Sequence, residues 1–479
     1  MQTCGTCEAT RCPATFTRRS FLNRTARATL VTAAAEMGWL DFTAQLFGQT
    51  PKGAGQPLIE VVFVRPEQAP VVSWPGGNCD VKAQQALFTE TLREAAKRCD
   101  VRLAVRDKPL GTAGEVSEWV GQLKGAPPDG LVVCAMELTL WGLVNELLSQ
   151  RGDTPTIVYS NVSGFTAQLQ IGRGASRVFV GATQEVGWLA TAIRLLDAVW
   201  RMKHTRILFV AGEGTREQVI EGLGTVFHWV PKARFAEEFK QVAVTEEVRA
   251  MARFYTRHAR KILEPNAKDI IEAAKNYVVC RRLMEREGCQ GIAIDCLGWR
   301  NPVCLAYSKL RDQGIVAACE QDANAAIGML MTHLLCERPC FQQDPSPNTV
   351  NNTLIGAHCT SPLRLEGFDQ PYQAPYLLRN YHTRTGVAPQ VLWPVGKPVT
   401  IVQANVRPLS IMLGTGRVVS NIDQPPSGCC RTAVEIELDH VADTRDVKGF
   451  HQLFVWGNLE RTFRAYGQLA DIPVVPIAG

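Results

Sequence analysis

Four side chains in the second half of the chain have the types and placing for metal and proton chemistry: Glu320, Asp344, His358 and His451. Glu320 stops a short apolar run, Ile315 to Cys319, and an apolar helix pattern follows it. Asp344 sits in a Pro/Asn/Gln-rich segment that reads as a loop, and His358 closes a second apolar run. His451 lies far downstream in Gly449-Phe450-His451-Gln452-Leu453-Phe454. Carboxylate oxygens with imidazole nitrogens suit a divalent ion such as Mn²⁺, Fe²⁺, Co²⁺ or Zn²⁺, and the lack of a thiolate cluster argues against a structural zinc site. Two carboxylates beside such an ion can accept and return a proton when burial and the cation tune their acidity. Taken singly, Asp344 reads equally as a loop acid or a cap, and His358 as a core histidine.

These residues need elements to position them. Leu58–Val64 is a β-branched run of strand length, Asp80–Cys99 carries apolar residues at helical spacing, and Val101–Val105 is again a strand. The alternation continues through Val116–Leu123, Leu131–Met136, Leu138–Leu148 and Thr156–Tyr159. After a Gly/Ser-rich loop it resumes with Arg177–Val180, a helical face from Val186 to Trp200, and strand Arg206–Val210. Helices over Thr245–Leu263 and Ala267–Glu287, strand Gly291–Asp295 and helix Pro302–Gln313 lead to the run that ends at Glu320. A βαβ rhythm implies parallel sheets covered on both faces, with ligand sites at the carboxyl ends of the strands. From about Asn351 the pattern turns to short alternating runs with Pro/Gly turns, and a helix returns only at Leu459–Leu469. The expected fold class is α/β, with two Rossmann-like parallel-sheet domains followed by a β-rich C-terminal domain, an antiparallel sheet or barrel. The expected boundaries are 58–170 and 171–348 for the α/β domains, the second carrying Glu320 and Asp344. The β-rich domain spans 349–479 and carries His358 and His451.

Composition narrows the function classes. A net charge of +5 over 479 residues gives no reason to expect nucleic acid, and Arg253–Lys261 reads as a solvated helix face. No run of eighteen apolar residues occurs, so no membrane span is expected. The sixteen cysteines form no repeating framework and read as buried thiols; Cys4, Cys7 and Cys12 lack a fourth zinc ligand nearby. Residues 1–57 read as a signal and linker. Thr17-Arg18-Arg19-Ser20-Phe21-Leu22 fits the twin-arginine export pattern, which gives a periplasmic location, with a vestigial signal on a cytoplasmic protein as the alternative.

Together, ACEQDANAAIGMLMTHLL around Glu320, Asp344 in the segment after it, NNTLIGAHCTSP around His358, and GFHQLFVWGN around His451 resemble the L-fucose isomerase and L-arabinose isomerase superfamily. The resemblance is strongest from Asn301 to Pro362 and weakest in the N-terminal domain. It implies aldose–ketose isomerisation of an open-chain monosaccharide with Mn²⁺ or a similar ion, in a homo-oligomer, trimer or hexamer. It makes Glu320 the first metal-binding carboxylate, Asp344 the second acid and His451 the C-terminal ligand. His358 matches a histidine that is a ligand only in the arabinose branch, so the set has three or four members. Glu320 and Asp344 would shuttle a proton between C1 and C2 through a cis-enediol, with the base unassigned. Two other functions fit the same residues: a catalytically silent sugar-binding protein, and a carbohydrate epimerase. Trp74 to Gly77, Trp393 and Trp456 are secondary candidates for touching sugar, and His382 and His440 read as surface residues.

Overall fold

The computed structural model describes residues 55–68, 73–161, 174–382, 384–423 and 429–479, all within one compact unit, Phe47–Gly479. The twin-arginine-type motif and Cys4, Cys7 and Cys12 lie outside the described residues. The architecture is mixed α/β: a parallel five-stranded sheet, a second mostly parallel sheet and a closed antiparallel barrel.

The first sheet comprises β1 (Leu58–Val64), β2 (Arg102–Val105), β3 (Gly130–Ala135), β4 (Thr156–Ser160) and β5 (Val178–Ala182), in the order β2-β1-β3-β4-β5 and parallel throughout. Successive strand side chains point to opposite faces, so β1 serves two cores. Ile59, Val61 and Phe63 pack with Phe88 and Leu92 of α1 (Val81–Cys99), while Val62 and Val64 pack with Val116 and Trp119 of α2 (Ala113–Gly125) and Trp141 of α3 (Trp141–Gln150). Each such side chain contributes about 1.5–3 kcal/mol by leaving water. Helix α4 (Leu189–His204) then crosses against α1 and leads into the second sheet.

That sheet has β6 (Arg206–Val210), β7 (Arg216–Val219), β8 (Val226–Val230), β10 (Gly291–Ile294) and β11 (Val316–Cys319), ordered β11-β10-β6-β8-β7. Only the edge strand β7 is antiparallel. Helices α5 (Ala233–Gln241), α6 (Glu246–His258), α7 (Ala267–Glu287) and α8 (Cys304–Asp312) connect its strands. The helix expected over Thr245–Leu263 stops at His258, because Lys261–Ile262 (β9) leave it to pair in parallel with β14 (Tyr376–Arg379), itself paired with β15 (Ala388–Val391). Tertiary pairing overrides the helical pattern of the last turn.

Helix α9 (Ala323–Cys336) follows β11 and packs on α4, β16 (Pro398–Val406) and β19 (Gln452–Trp456). Gly328 permits the approach, since a Cβ there would lie 2.8 Å from Leu453 Cδ1. The barrel closes in the order β16, β19, β12 (Phe341–Asn348), β13 (Thr353–His358), β18 (Thr432–Leu438), β17 (Leu409–Asn421) and back to β16. Closure removes the open edges that a flat sheet would expose. After α10 (Glu460–Ala470), β20 (Val474–Pro476) pairs with the first half of β17. The two runs expected at Ser410–Leu413 and Arg417–Ser420 are one strand with an irregular register at Val418/Ser420.

Asp344 was expected in a loop and lies in β12 instead, paired with Ala357. Pro345 and Pro347 had argued against a strand. Beyond Gln343, β12 has a paired neighbour only on its β13 side, where the ladder runs from Asp344 to Asn348. An edge of this kind tolerates prolines.

Candidate metal centre

Glu320 follows the last residue of β11, the edge strand of the second sheet, and reaches the barrel by a two-residue turn in which Glu320 and Gln321 both have φ near +55° (57° and 52°). Non-glycine residues in this region cost on the order of 1 kcal/mol each and persist where surrounding contacts fix them. Here the Gln321 N–H donates to Ile294 O at 3.2 Å and the Asp322 N–H to Cys319 O at 3.1 Å. Asp322 then caps α9, its Oδ1 accepting from Ala325 N at 2.6 Å. His451 also has a positive φ, 56°, and immediately precedes β19.

The four predicted residues converge. His451 Nε2 lies 3.4 Å from Glu320 Oε2 and 3.2 Å from Asp344 Oδ1, and His358 Nε2 lies 3.6 Å from Glu320 Oε1. Ligand atoms of Glu320, His358 and His451 all fall within 4.8 Å of one another. Donors held at about 2.0–2.2 Å from one ion stand about 3.0–3.5 Å apart, so these separations suit a shared cation. Asp344 Oδ1, His358 Nε2 and His451 Nε2 are buried and make no hydrogen bond within the protein. Buried polar atoms are normally satisfied, and a divalent cation would satisfy the Asp344 Oδ1 and His451 Nε2 acceptors at once. Thus the residues present fit such an ion. The imidazoles are buried, with side chains 7% and 2% exposed, while those of Glu320 and Asp344 are 26% and 39% exposed. The centre therefore opens to solvent on its carboxylate side.

The two histidines differ in what their second nitrogen does. His451 Nδ1 lies 2.9 Å from Asp322 Oδ2, an N–H donated to a carboxylate that leaves the Nε2 lone pair facing the acids. This is the outer-shell arrangement that orients ligating histidines and raises their basicity. His358 Nδ1 instead accepts the Cys359 backbone N–H at 2.9 Å and lies 3.3 Å from Thr360 Oγ1. A neutral His358 consequently keeps its hydrogen on Nε2, facing Glu320, as a donor.

Charge follows the same geometry. The His358 and His451 imidazoles beside it hold the Glu320 carboxyl well below the usual carboxylate range, against the effect of burial. Burial disfavours the charged form of His451, yet the Asp322, Asp344 and Glu320 carboxylates push it up to about 11. His358 is likewise opposed by burial and pushed up to about 10 by Cys319, Glu320 and Asp344.

Sequence reasoning missed the residues that hold this centre in shape. Arg311, fully buried in α8, donates Nε and Nη2 to Ala317 O (3.0 and 2.8 Å), Nη1 to Thr360 O (2.7 Å) and Nη2 to Gln342 Oε1 (3.2 Å). Gln342 Oε1 also accepts the Cys319 N–H at 2.8 Å. One guanidinium thus ties together the segments that carry Glu320, Asp344 and His358. Asp322 was legible as a helix cap, directly before an apolar helical run; Arg311 left no local signal.

Of the secondary candidates, Trp393 is a core residue whose Nε1–H donates to Ser361 Oγ at 3.1 Å, and Trp456 is half-buried beneath Lys397. Trp74 is 52% exposed. His440 is exposed as expected, but His382 is half-buried beside two cysteines, and the expectation of a surface residue fails there. No helix among the described residues is long and apolar enough to cross a membrane. No protein-family model matches the sequence, and a search of curated proteins finds no match.

Proposed function

We propose that this protein is a metal-dependent aldose–ketose isomerase of the fucose/arabinose isomerase type, built as two Rossmann-like α/β units followed by the barrel. The observation that carries the reading is the convergence of Glu320 and Asp344, both partly exposed to solvent, on the buried His451 Nε2. Glu320, Asp344 and His451 would hold a divalent cation, Mn²⁺ by resemblance, with Asp322 orienting His451. When bound, such an ion supplies positive charge beside the carbonyl of an open-chain monosaccharide. Glu320, kept ionised by its histidine neighbours, and Asp344 stand on the solvent side, where one removes a proton from the carbon next to the carbonyl and the other returns it. His358 has the donor role: its Nε2–H stays near Glu320 and steadies negative charge that develops on the substrate oxygens.

The test is metal analysis of purified protein, followed by an aldose panel scored for ketose formation and for exchange of the C2 hydrogen with solvent. Bound divalent metal with exchange, both abolished by Glu320→Gln, is the expected result. Tight sugar binding without metal or exchange would refute the reading in favour of a silent binder, and inversion at C2 without ketose would indicate epimerisation. The roles of the histidines separate in His358→Gln, which should keep metal affinity within about threefold while turnover falls about 100-fold. A loss of metal affinity as large as that of His451→Gln would make His358 a ligand instead.

A further inference from the structure

A second constellation of metal-binding side chains lies on the other side of the same strand end. Cys359 directly follows His358 and turns away from the carboxylate centre, and its thiol meets those of Cys304 and Cys430. Ligand atoms of Cys359, His382 and Cys430 all lie within 4.8 Å of one another, and Cys430 Sγ is 4.0 Å from His382 Nδ1. Donors around a tetrahedral zinc, with Zn–S near 2.3 Å and Zn–N near 2.0–2.1 Å, stand about 3.5–3.8 Å apart. Small side-chain rotations therefore separate the observed cluster from a closed coordination shell.

The four residues come from four elements: Cys304 opens α8, Cys359 follows β13, His382 lies in the turn between β14 and β15, and Cys430 lies two residues before β18. Cys304 and Cys359 are almost fully buried, and Cys430 and His382 half-buried, so the cluster reaches solvent only at its His382 side. The backbone is already fixed around it. Arg431, fully buried, donates Nε to Asn380 O at 2.7 Å, which anchors the His382 turn to the start of β18. The Cys359 thiol lies within hydrogen-bonding reach of the Cys304 and Cys430 thiols and of the His382 ring. Several thiols and an imidazole gathered at one point are the donor set that a thiophilic cation takes, the thiols binding as thiolates.

We propose that Cys359, His382 and Cys430, with Cys304 as the fourth donor, form a structural Zn²⁺ site distinct from the carboxylate centre. Uptake of the ion releases the thiol protons and leaves a closed Cys₃His shell with no open position for substrate. The expectation that the chain lacks a thiolate cluster is corrected here. Its members are dispersed through the sequence without any short spacing, and only the packing of α8 against the barrel assembles them. The site's task is mechanical. It clamps the peptide that carries His358 and Thr360, and so links α8, the β14–β15 turn and the barrel.

The experiment is metal analysis of the full chain purified from zinc-supplemented medium, then replacement of the bound metal by Co²⁺ and optical spectroscopy. One zinc per chain should be retained through mild chelation. The cobalt form should show intense tetrahedral d–d bands and thiolate-to-metal charge transfer, which an oxygen- and nitrogen-ligated centre does not give. Cys359→Ser with Cys430→Ser should lower the zinc content from one to none. His382→Ala, altered at the half-buried rim, covers the case in which the double variant does not fold, and should make zinc chelator-labile. Cys429→Ser, the exposed neighbour outside the cluster, should change nothing. Glu320→Gln should keep the thiolate bands, so this site and the carboxylate centre stand or fall separately. A disulfide between any two of Cys304, Cys359 and Cys430, or free titration of all three thiols in a zinc-free protein of unchanged stability, would overturn the proposal.

Discussion

Asp322 divides its carboxylate between two tasks, and Asp322→Asn separates them. Oδ1 accepts the Ala325 N–H that starts α9, and Oδ2 accepts the His451 Nδ1–H. Asparagine caps helices as well as aspartate does, so the amide oxygen can keep the first contact. Its NH₂ group then faces His451 Nδ1 and can only donate. The imidazole must move its hydrogen to Nε2, which is the nitrogen that faces Glu320 and Asp344. If the amide flips instead, the cap is lost and the helix start is weakened by about 1 kcal/mol. Either way the cost falls on metal binding: loss of an outer-shell carboxylate lowers affinity by about 10–100-fold, or about 1.4–2.7 kcal/mol. Titration of the apo protein with Mn²⁺ against a competing chelator measures this directly. Thermal unfolding without metal should show a loss of stability in Asp322→Asn, which forfeits the charge-assisted bond to His451, and a further loss of about 1 kcal/mol in Asp322→Ala, which forfeits the helix cap as well. Wild-type affinity in Asp322→Asn would refute the assignment of His451 Nε2 as a ligand.

Two further perturbations test the support rather than the centre. Arg311→Lys replaces a planar fork that serves Ala317 O, Thr360 O and Gln342 Oε1 with a single ammonium, and should destabilise the protein by about 3 kcal/mol in denaturant titrations; a change below about 0.5 kcal/mol would remove its positioning role. His333 is buried in α9, where burial, with Arg311 nearby, pushes its imidazole down to about 3. The folded chain refuses a proton that the unfolded chain accepts below about pH 6.5, so stability is present above that pH and is lost as pH falls. The loss between pH 6.5 and 5 is about 2 kcal/mol. Urea titrations of wild type and His333→Gln at both pH values should show that slope reduced in the variant, and equal slopes would refute it.

The sequence displayed the βαβ rhythm because buried parallel strands such as Val61–Val64 and Leu131–Ala135 are nearly continuous apolar runs, separated by helices whose charges fall on one side. Glu320 and His358 were legible because each ends such a run, whereas Asp344 and His451 stood out through the resemblance of the segments around them. What stayed hidden depends on partners distant in the chain. Lys261–Ile262 becomes a strand only because β14 lies beside it, and Asp344 is in a strand although two prolines follow it, since its prolines meet an open edge. Arg311 looks like any charged residue on a helix until three acceptors from other elements surround it. Cysteines at 304, 359 and 430 carry no spacing signal, because α8, β13 and β18 are neighbours in the fold and strangers in the sequence.

Closure of the barrel sets the timing of assembly during synthesis. Strand β19 bridges β12 and β16, and it follows both of them in the chain. Until it docks, both neighbours present unpaired edges, and Glu320 and Asp344 face one another without His451 between them. Contacts this distant in sequence form slowly because the loop-closure entropy is lost before they form. On the proposed reading, a chain without β19 in place would lack one of its three metal ligands. The strand that closes the barrel between β12 and β16 also brings His451 to the acids, so on that reading metal loading would report that the barrel is closed.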